Sequence, residues 1–216
     1  MKKSELDPKI AVFDKKAELY QQKFMDQSRY AEGLNRCCEL LGTNQGKLLD
    51  LGCGPGNVSR YLLDKIPWLR VEAVDLSPAM VALAQNNLPT AMCSVGDVRE
   101  LDIWAGGFDI IVAGFCIPYL NREEVRELVL AAYQKLNLGG FFYLSFMEGD
   151  YSRSGYQLSS DGQDKAYIHY YPAEEIRSLF EASGFEIDSL LRTNFEKEDG
   201  SLDVDVQIIG VKQLKN

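Results

Sequence analysis

Leu48 to Asn57 reads LLDLGCGPGN. An apolar strand pattern carries the acid Asp50, and glycines follow at alternating positions, Gly52, Gly54 and Gly56. Val58 to Lys65 then begins a helical pattern. A strand, a glycine turn and a helix N-terminus make a site where backbone N–H groups face an anionic or polar ligand. Glycine suits such a turn because a Cβ would block both the tight backbone path and the ligand's approach. Further acids fall at the ends of later strand patterns. Asp75 closes RVEAVD, about twenty residues past the glycines, and Asp97 follows Gly96. The single histidine, His169, lies in YIHYY. Histidine titrates nearest neutral pH and is the usual general base, so His169 is the candidate proton acceptor; packing among its tyrosine neighbours in a lid or edge strand is the alternative.

These residues need strands and helices to hold them. After the strand at Leu48, strand patterns recur at Arg70–Asp75, 91–95, 108–113, 140–146, 185–193 and 203–211. FDIIVA is a near-continuous apolar run, as expected of a strand buried on both faces. Between them, Ser77-Pro78 reads as a helix cap followed by proline at the first helical position. Asn121 with Glu124 reads as a capping box ahead of a helix that Gly139-Gly140 would end. Pro172 opens a third helix that stops at Gly184. Strand–helix alternation predicts an α/β fold with a doubly wound, mostly parallel, seven-stranded sheet and helices on both faces. NFEKEDGSL is too short and polar for a crossover helix, so the last two strands are expected as an antiparallel C-terminal hairpin. A single domain is expected over 1–216, with an N-terminal helical cap region over 1–46 and an insertion over 147–171 that acts as a lid or substrate segment.

The pattern D-x-G-x-G-x-G departs from the dinucleotide fingerprint G-x-G-x-x-G. It resembles motif I of the class I (Rossmann-like) S-adenosylmethionine-dependent methyltransferases of small-molecule type, and the parallel sheet closed by a C-terminal hairpin resembles them independently. The resemblance implies S-adenosylmethionine as cofactor and S-adenosylhomocysteine as product. It implies that Gly52, Cys53, Gly54 and Gly56 present the loop to the donor, and that Asp50 meets the ammonium of its methionine end, directly or through water. Asp75, with Leu76 beside it, is then the acceptor for the ribose hydroxyls, a role that alone does not separate this donor from NAD. Asp97 would accept from the adenine amino group, Val98 would donate a backbone N–H to the ring, and Met80 would pack on its face. Gly114 and Phe115, after the fourth strand, complete the cofactor set. Tyr20 would reach the site from the N-terminal region. Cys116-Ile117-Pro118-Tyr119 keeps only the proline and aromatic of the amino-methylating motif, and lacks the histidine of many small-molecule relatives at Pro118. Tyr119, Tyr151, Tyr167 and Tyr170 are the candidate substrate-binding residues, because the tyrosine-rich insertion would build an aromatic pocket or lid.

The net charge of −9 over 216 residues disfavours a nucleic acid partner, and no apolar run reaches the length of a bilayer span, so no membrane partner is expected. The cysteines are Cys37, Cys38, Cys53, Cys93 and Cys116. Their odd count, with no C-x-x-C pair or Cys/His cluster, predicts no metal site and fits a reducing cytoplasm. The N-terminus lacks the apolar stretch of a signal peptide. The expected activity is methyl transfer to a small molecule by in-line displacement. A non-catalytic S-adenosylmethionine-binding regulator and a nicotinamide-dependent reductase are the alternatives.

Overall fold

The computed structural model describes residues 8–43, 45–100, 104–158, 164–196, 200 and 202–213. The chain begins with helices α1 (Pro8–Phe24) and α2 (Ala31–Leu41), joined through a short 3-10 turn at Ser28–Tyr30. Then β1 (Lys47–Leu51), α3 (Asn57–Lys65), β2 (Arg70–Asp75), α4 (Pro78–Asn87) and β3 (Met92–Val95) alternate. They are followed by β4 (Phe108–Gly114), α5 (Arg122–Lys135) and β5 (Leu136–Glu148). A hairpin of β6 (Gly155–Leu158) and β7 (Lys165–Ile168) precedes α6 (Ala173–Ser183), β8 (Phe185–Glu196) and β9 (Leu202–Lys212).

The main sheet has seven strands in the order β3-β2-β1-β4-β5-β9-β8. β1 pairs in parallel with both β2 and β4, while β9 runs antiparallel to β5 and β8. This is the predicted doubly wound sheet with its C-terminal hairpin. Strand order reverses between β1 and β4, and an open α/β sheet binds ligands in the crevice outside the carboxyl ends of its strands at such a point. The strands there are apolar on both sides. Ile110 and Val112 of β4 join Leu34, Leu62 and Ala84 from α2, α3 and α4 on one face. Phe108 and Ile111 join Val125, Ile176 and Phe180 from α5 and α6 on the other.

Local signals place the helices. Ser77 caps α4, its side chain accepting from the Met80 N–H, with Pro78 at the first position. Asn121 and Glu124 form the full capping box of α5. The far end of α5 differs from expectation. The helix stops at Lys135, not at Gly139-Gly140, because Leu136 already pairs with Phe108 as strand, and the Gly107 N–H donates to the Lys135 carbonyl. The expected insertion over 147–171 holds the β6–β7 hairpin, strands that the sequence reading did not separate, while its residues 159–163 lie outside the described set. The loop between the last two strands is likewise described only in part.

Helix α1 does not pack in either layer. It lies across the carboxyl ends of β1 and β2, held by three polar ties. Asp14 Oδ1 accepts from Ser77 Oγ at 2.6 Å and from the Ala79 N–H at 2.9 Å. Asn87 donates to Gln21 Oε1 at 2.7 Å, and Asn57 to the Phe24 carbonyl at 3.1 Å. Lys16 also reaches Asp164 beside β7 at 3.3 Å.

Candidate active site

The run after β1 forms a left-handed turn. Gly52, Gly54 and Gly56 have φ of 67°, 53° and 85°. At Gly52 a Cβ would stand 2.9 Å from the Cys116 Cβ, and at Gly56 it would stand 2.6 Å from Leu88. The sequence therefore needs glycine there for conformation and for space together. Gly56 is the N-cap of α3, so the turn delivers its amides at a helix N-terminus.

Asp75, at the end of β2, braces this turn. Its Oδ2 accepts from the Gly54 N–H at 2.8 Å and its Oδ1 from the Ser77 N–H at 2.9 Å. A carboxylate offers about four lone-pair positions, so two donors leave capacity for others. Burial pushes the Asp75 carboxyl above the ordinary range, while those amide bonds pull it back.

A cavity of about 150 Å³ opens beside the turn. Gly52, Gly54, Asp75, Leu76, Met80, Asp97, Val98, Gly114, Phe115, Tyr20 and Tyr119 border it, as do Phe13, Ser77, Arg99, Cys116 and Leu120. Most of the sequence candidates thus converge. Aromatic rings form the roof: Phe13 meets Tyr119 edge-on at 4.9 Å between centroids and Tyr20 at 6.5 Å. Burial pushes the Tyr119 phenol up to about 12 and raises Tyr20 as well, with the charges of Tyr119 and Asp75 adding to the latter. Burial thus holds both phenols protonated near neutral pH, which disfavours them as bases.

Asp97 is engaged by Arg99, whose Nε lies 2.9 Å from Oδ1 and whose Nη2 lies 2.5 Å from Oδ2. Burial raises the Asp97 carboxyl, but the guanidinium outweighs it and holds the group below the ordinary carboxylate range. Arg99 also reaches Glu124 on α5.

Other candidates stand apart from the cavity. Asp50 is 1% exposed and turned under α3, where Ser59 Oγ donates to its Oδ2 at 2.5 Å. Burial drives its carboxyl up to about 7, with the Ser59 bond lowering it and the Asp75 charge raising it. The Cys53 side chain is also buried, leaving only its backbone to the loop. Gly56 caps α3 behind the cavity wall. His169 does not border the cavity. Its backbone N–H donates to the Pro118 carbonyl at 2.8 Å, and its ring packs against Tyr167 at 4.8 Å and Tyr151 at 5.6 Å. Tyr151, Tyr167 and Tyr170 stand with it in the insertion: Tyr151 lies under the Arg122 guanidinium, and the Tyr170 hydroxyl accepts from Gln157 at 2.8 Å. The described residues of the insertion build an aromatic cluster beside the site and are not among those that border the cavity.

Sequence reasoning missed Phe13, Ser77, Arg99, Cys116 and Leu120. Phe13 precedes Tyr20 by seven residues on α1, a spacing that puts both on one helix face. In the sequence Ser77 reads only as a helix cap, and Cys116 only as part of the run Cys116-Ile117-Pro118-Tyr119. Among the described residues, no group of acidic, histidine or cysteine side chains could hold a metal ion.

Residues 48–140 match the family described as a methyltransferase domain. The malonyl-[acyl-carrier protein] O-methyltransferase of Enterobacter lignolyticus is 28% identical over 140 residues, covering 65% of this chain and 53% of that protein. The demethylmenaquinone methyltransferase of Thermotoga maritima is 33% identical over 123 residues, covering 56% of this chain and 53% of that protein. This chain therefore spans about half the length of these relatives. Among solved structures, the 1,6-didemethyltoxoflavin-N1-methyltransferase of Burkholderia thailandensis, with bound 1,6-didemethyltoxoflavin and S-adenosylhomocysteine, superposes with a TM-score of 0.71 at 20% identity. The overlap covers 96% of this chain and 88% of that one, and establishes a shared fold.

Proposed function

We propose, from the premise that this chain belongs to the class I S-adenosylmethionine-dependent methyltransferases, that it transfers the methyl group of S-adenosylmethionine to a small-molecule acceptor and leaves S-adenosylhomocysteine. One observation carries the reading: the glycine turn at the N-terminus of α3 and the Asp75 carboxylate border a single cavity at the point where strand order reverses. The turn presents backbone amides at the N-terminus of α3, so it suits a ligand with a carboxylate. Asp75 suits a diol, and Met80 with Val98 suits a flat apolar ring. Those are the parts of S-adenosylmethionine, and its bound sulfonium supplies an electrophilic methyl group.

The chain's own contribution is then orientation and exclusion of water. Holding the reactants aligned is worth roughly 7–11 kcal/mol of barrier. Tyr20 and Tyr119, protonated near neutral pH, stand at the roof, and the apolar ring of Phe13 keeps solvent out. No histidine borders the cavity among the described residues, so the chemistry leans on positioning more than on a resident base.

A small acceptor fits the roof that α1 makes over the cavity. It also fits the net charge of −9, which repels nucleic acid. The named relatives act on acceptors as different as an acyl-carrier-protein-bound malonyl group and demethylmenaquinone, so the acceptor atom is a matter for assay. The free cysteines support work in a reducing compartment such as the cytoplasm. Calorimetry with S-adenosylmethionine, S-adenosylhomocysteine and NAD, all in chelator, tests the donor. Binding of the first two and not NAD is expected; binding of NAD alone overturns the reading. Labelled methyl transfer to a panel of small acceptors, with RNA and DNA as controls, tests the acceptor class.

A further inference from the structure

Among the described residues that border the cavity, Arg99 is the one cation, and its charge is directed at its neighbours. Asp97 follows β3 and heads a short turn. Its Oδ1 accepts from the Arg99 backbone N–H at 2.9 Å, and its carbonyl accepts from the Glu100 N–H at 3.0 Å. The Arg99 side chain folds back onto the same carboxylate. Its Nε lies 2.9 Å from Oδ1 and 3.0 Å from Oδ2, and its Nη2 lies 2.5 Å from Oδ2. A two-pronged guanidinium–carboxylate pair of this kind fixes direction as well as distance. A carboxylate has about four lone-pair positions. The turn and the fork both occupy Oδ1, so the capacity that remains is on Oδ2.

This clamp is anchored. Arg99 Nη1 donates to Glu124 Oε1 at 3.1 Å, while Glu124 Oε2 accepts from the Asn121 N–H at 2.7 Å as part of the α5 capping box. Asp97 is thereby tied, through one arginine, to the first turn of a helix packed in the core. Arg99 and Val98 also line a second cavity over α5, together with Glu124 and Glu127. Asp97 and Glu124 take up the guanidinium, and Glu127 adds negative charge nearby.

Resting on the methyltransferase reading, we propose that Arg99 is a positioning residue for the base of the donor: by clamping Asp97 to α5 it holds the carboxylate where adenine is accepted and hypoxanthine is refused. The adenine amino group donates to Oδ2. Hypoxanthine sets an oxygen acceptor against the carboxylate instead, and carries its N–H one ring position away, beyond a carboxylate that does not turn. A site built to hydrogen-bond one group rejects an analogue that leaves its polar atoms unpaired. Burial raises the Asp97 carboxyl, but the guanidinium outweighs it and keeps the group ionised, with no proton to offer the hypoxanthine oxygen. With the clamp released, the carboxylate turns to the ring N–H and discrimination narrows. Arg99 acts through Asp97 and not by touching the donor.

The test is calorimetry of the full chain with S-adenosylhomocysteine and with S-inosylhomocysteine, which differ only in the base. Wild type is expected to prefer the first. Arg99→Gln removes the fork and should narrow that preference about tenfold, as loss of a hydrogen bond to a charged group does. Arg99→Lys keeps the charge without the fork and should recover only part of it. In an Asp97→Ala background, Arg99→Gln should leave the preference unchanged, because nothing remains to be positioned. Each preference is a ratio read within one protein, so partial loss of folding cancels. The proposal is overturned by a wild type without preference, by equal losses for both ligands in Arg99→Gln, or by full recovery in Arg99→Lys. It is also overturned if the selective loss persists in the Asp97→Ala background, which would put Arg99 itself on the base. Those outcomes leave the methyltransferase reading standing, whereas failure of wild type to bind S-adenosylhomocysteine overturns both.

Discussion

Asp14 on α1 caps the N-terminus of α4 together with that helix's own cap residue, Ser77, whose hydroxyl donates to Asp14 at 2.6 Å. The helix that roofs the cavity is thereby tied to the turn that follows Asp75. Asp14→Ala removes the bonds from Ser77 Oγ and the Ala79 N–H, each contributing about 1 kcal/mol or more. The expected result is faster proteolysis and amide exchange within α1, and S-adenosylhomocysteine affinity lower by roughly tenfold. Asp14→Asn keeps the acceptor oxygen and should behave nearly as wild type. Equal protection of α1 in all three proteins would show that Asp14 does not hold the roof.

His169 packs among tyrosines and does not border the cavity, so His169→Gln should leave the pH dependence of turnover alone. Loss of the ring contacts with Tyr151 and Tyr167 is worth about 1 kcal/mol, or roughly 2–4 °C in Tm for a chain of this size. A turnover profile that loses a limb near neutral pH in the variant would restore His169 as a base. Calorimetry of cofactor binding in the same variant checks that the donor site is intact.

Much of this site is written locally. Asp50, the glycines and Asp75 are read from two strand ends because strand, turn and helix N-terminus are consecutive. The apolar run of β4 announces a strand buried on both faces. The hairpin at the C-terminus follows from a connection too short for a helix. What escaped reading depends on distant pairing. Arg99 is an ordinary loop arginine until the fold sets it against Asp97 and Glu124. The expected aromatic pocket in the insertion went astray for the same reason: tyrosine content says that rings cluster, while only the β6–β7 pairing decides which way the cluster faces. The α5 boundary failed because Gly139-Gly140 looks like a stop signal, whereas pairing of Leu136 with Phe108 ends the helix earlier.

Asp50 carries a pH signature. Its folded-state value is raised to about 7, above that of an unfolded aspartate, so the folded chain binds the extra proton between about pH 4 and 7. Stability from this group is full below the unfolded value and is lost as pH rises through the folded one. Asp50→Asn keeps an oxygen to accept from Ser59 and removes the titration. The variant should therefore gain on wild type as pH rises from about 4 to 7, by an amount on the order of a few kcal/mol, and the gap should be flat above about 8. Denaturant unfolding across that range measures it. A constant difference between the two proteins would mean that Asp50 is ionised throughout.

Asp75 gives the sharpest test of the donor site, because it has two duties. It holds the Gly54 and Ser77 amides, and it is proposed to accept from the ribose hydroxyls. Asp75→Ala removes both. A hydrogen bond to a charged group is worth roughly 1.5–3 kcal/mol, so loss of even one should weaken S-adenosylhomocysteine about tenfold or more. The two duties separate through a second ligand. Adenine alone lacks the ribose, and any loss in its affinity reports only on disorder of the turn. If Asp75 serves the ribose, the variant should lose far more affinity for S-adenosylhomocysteine than for adenine, with a melting temperature that shows the sheet intact. Equal losses for both would assign Asp75 to bracing the turn, and unchanged affinity for S-adenosylhomocysteine would remove it from the donor site altogether.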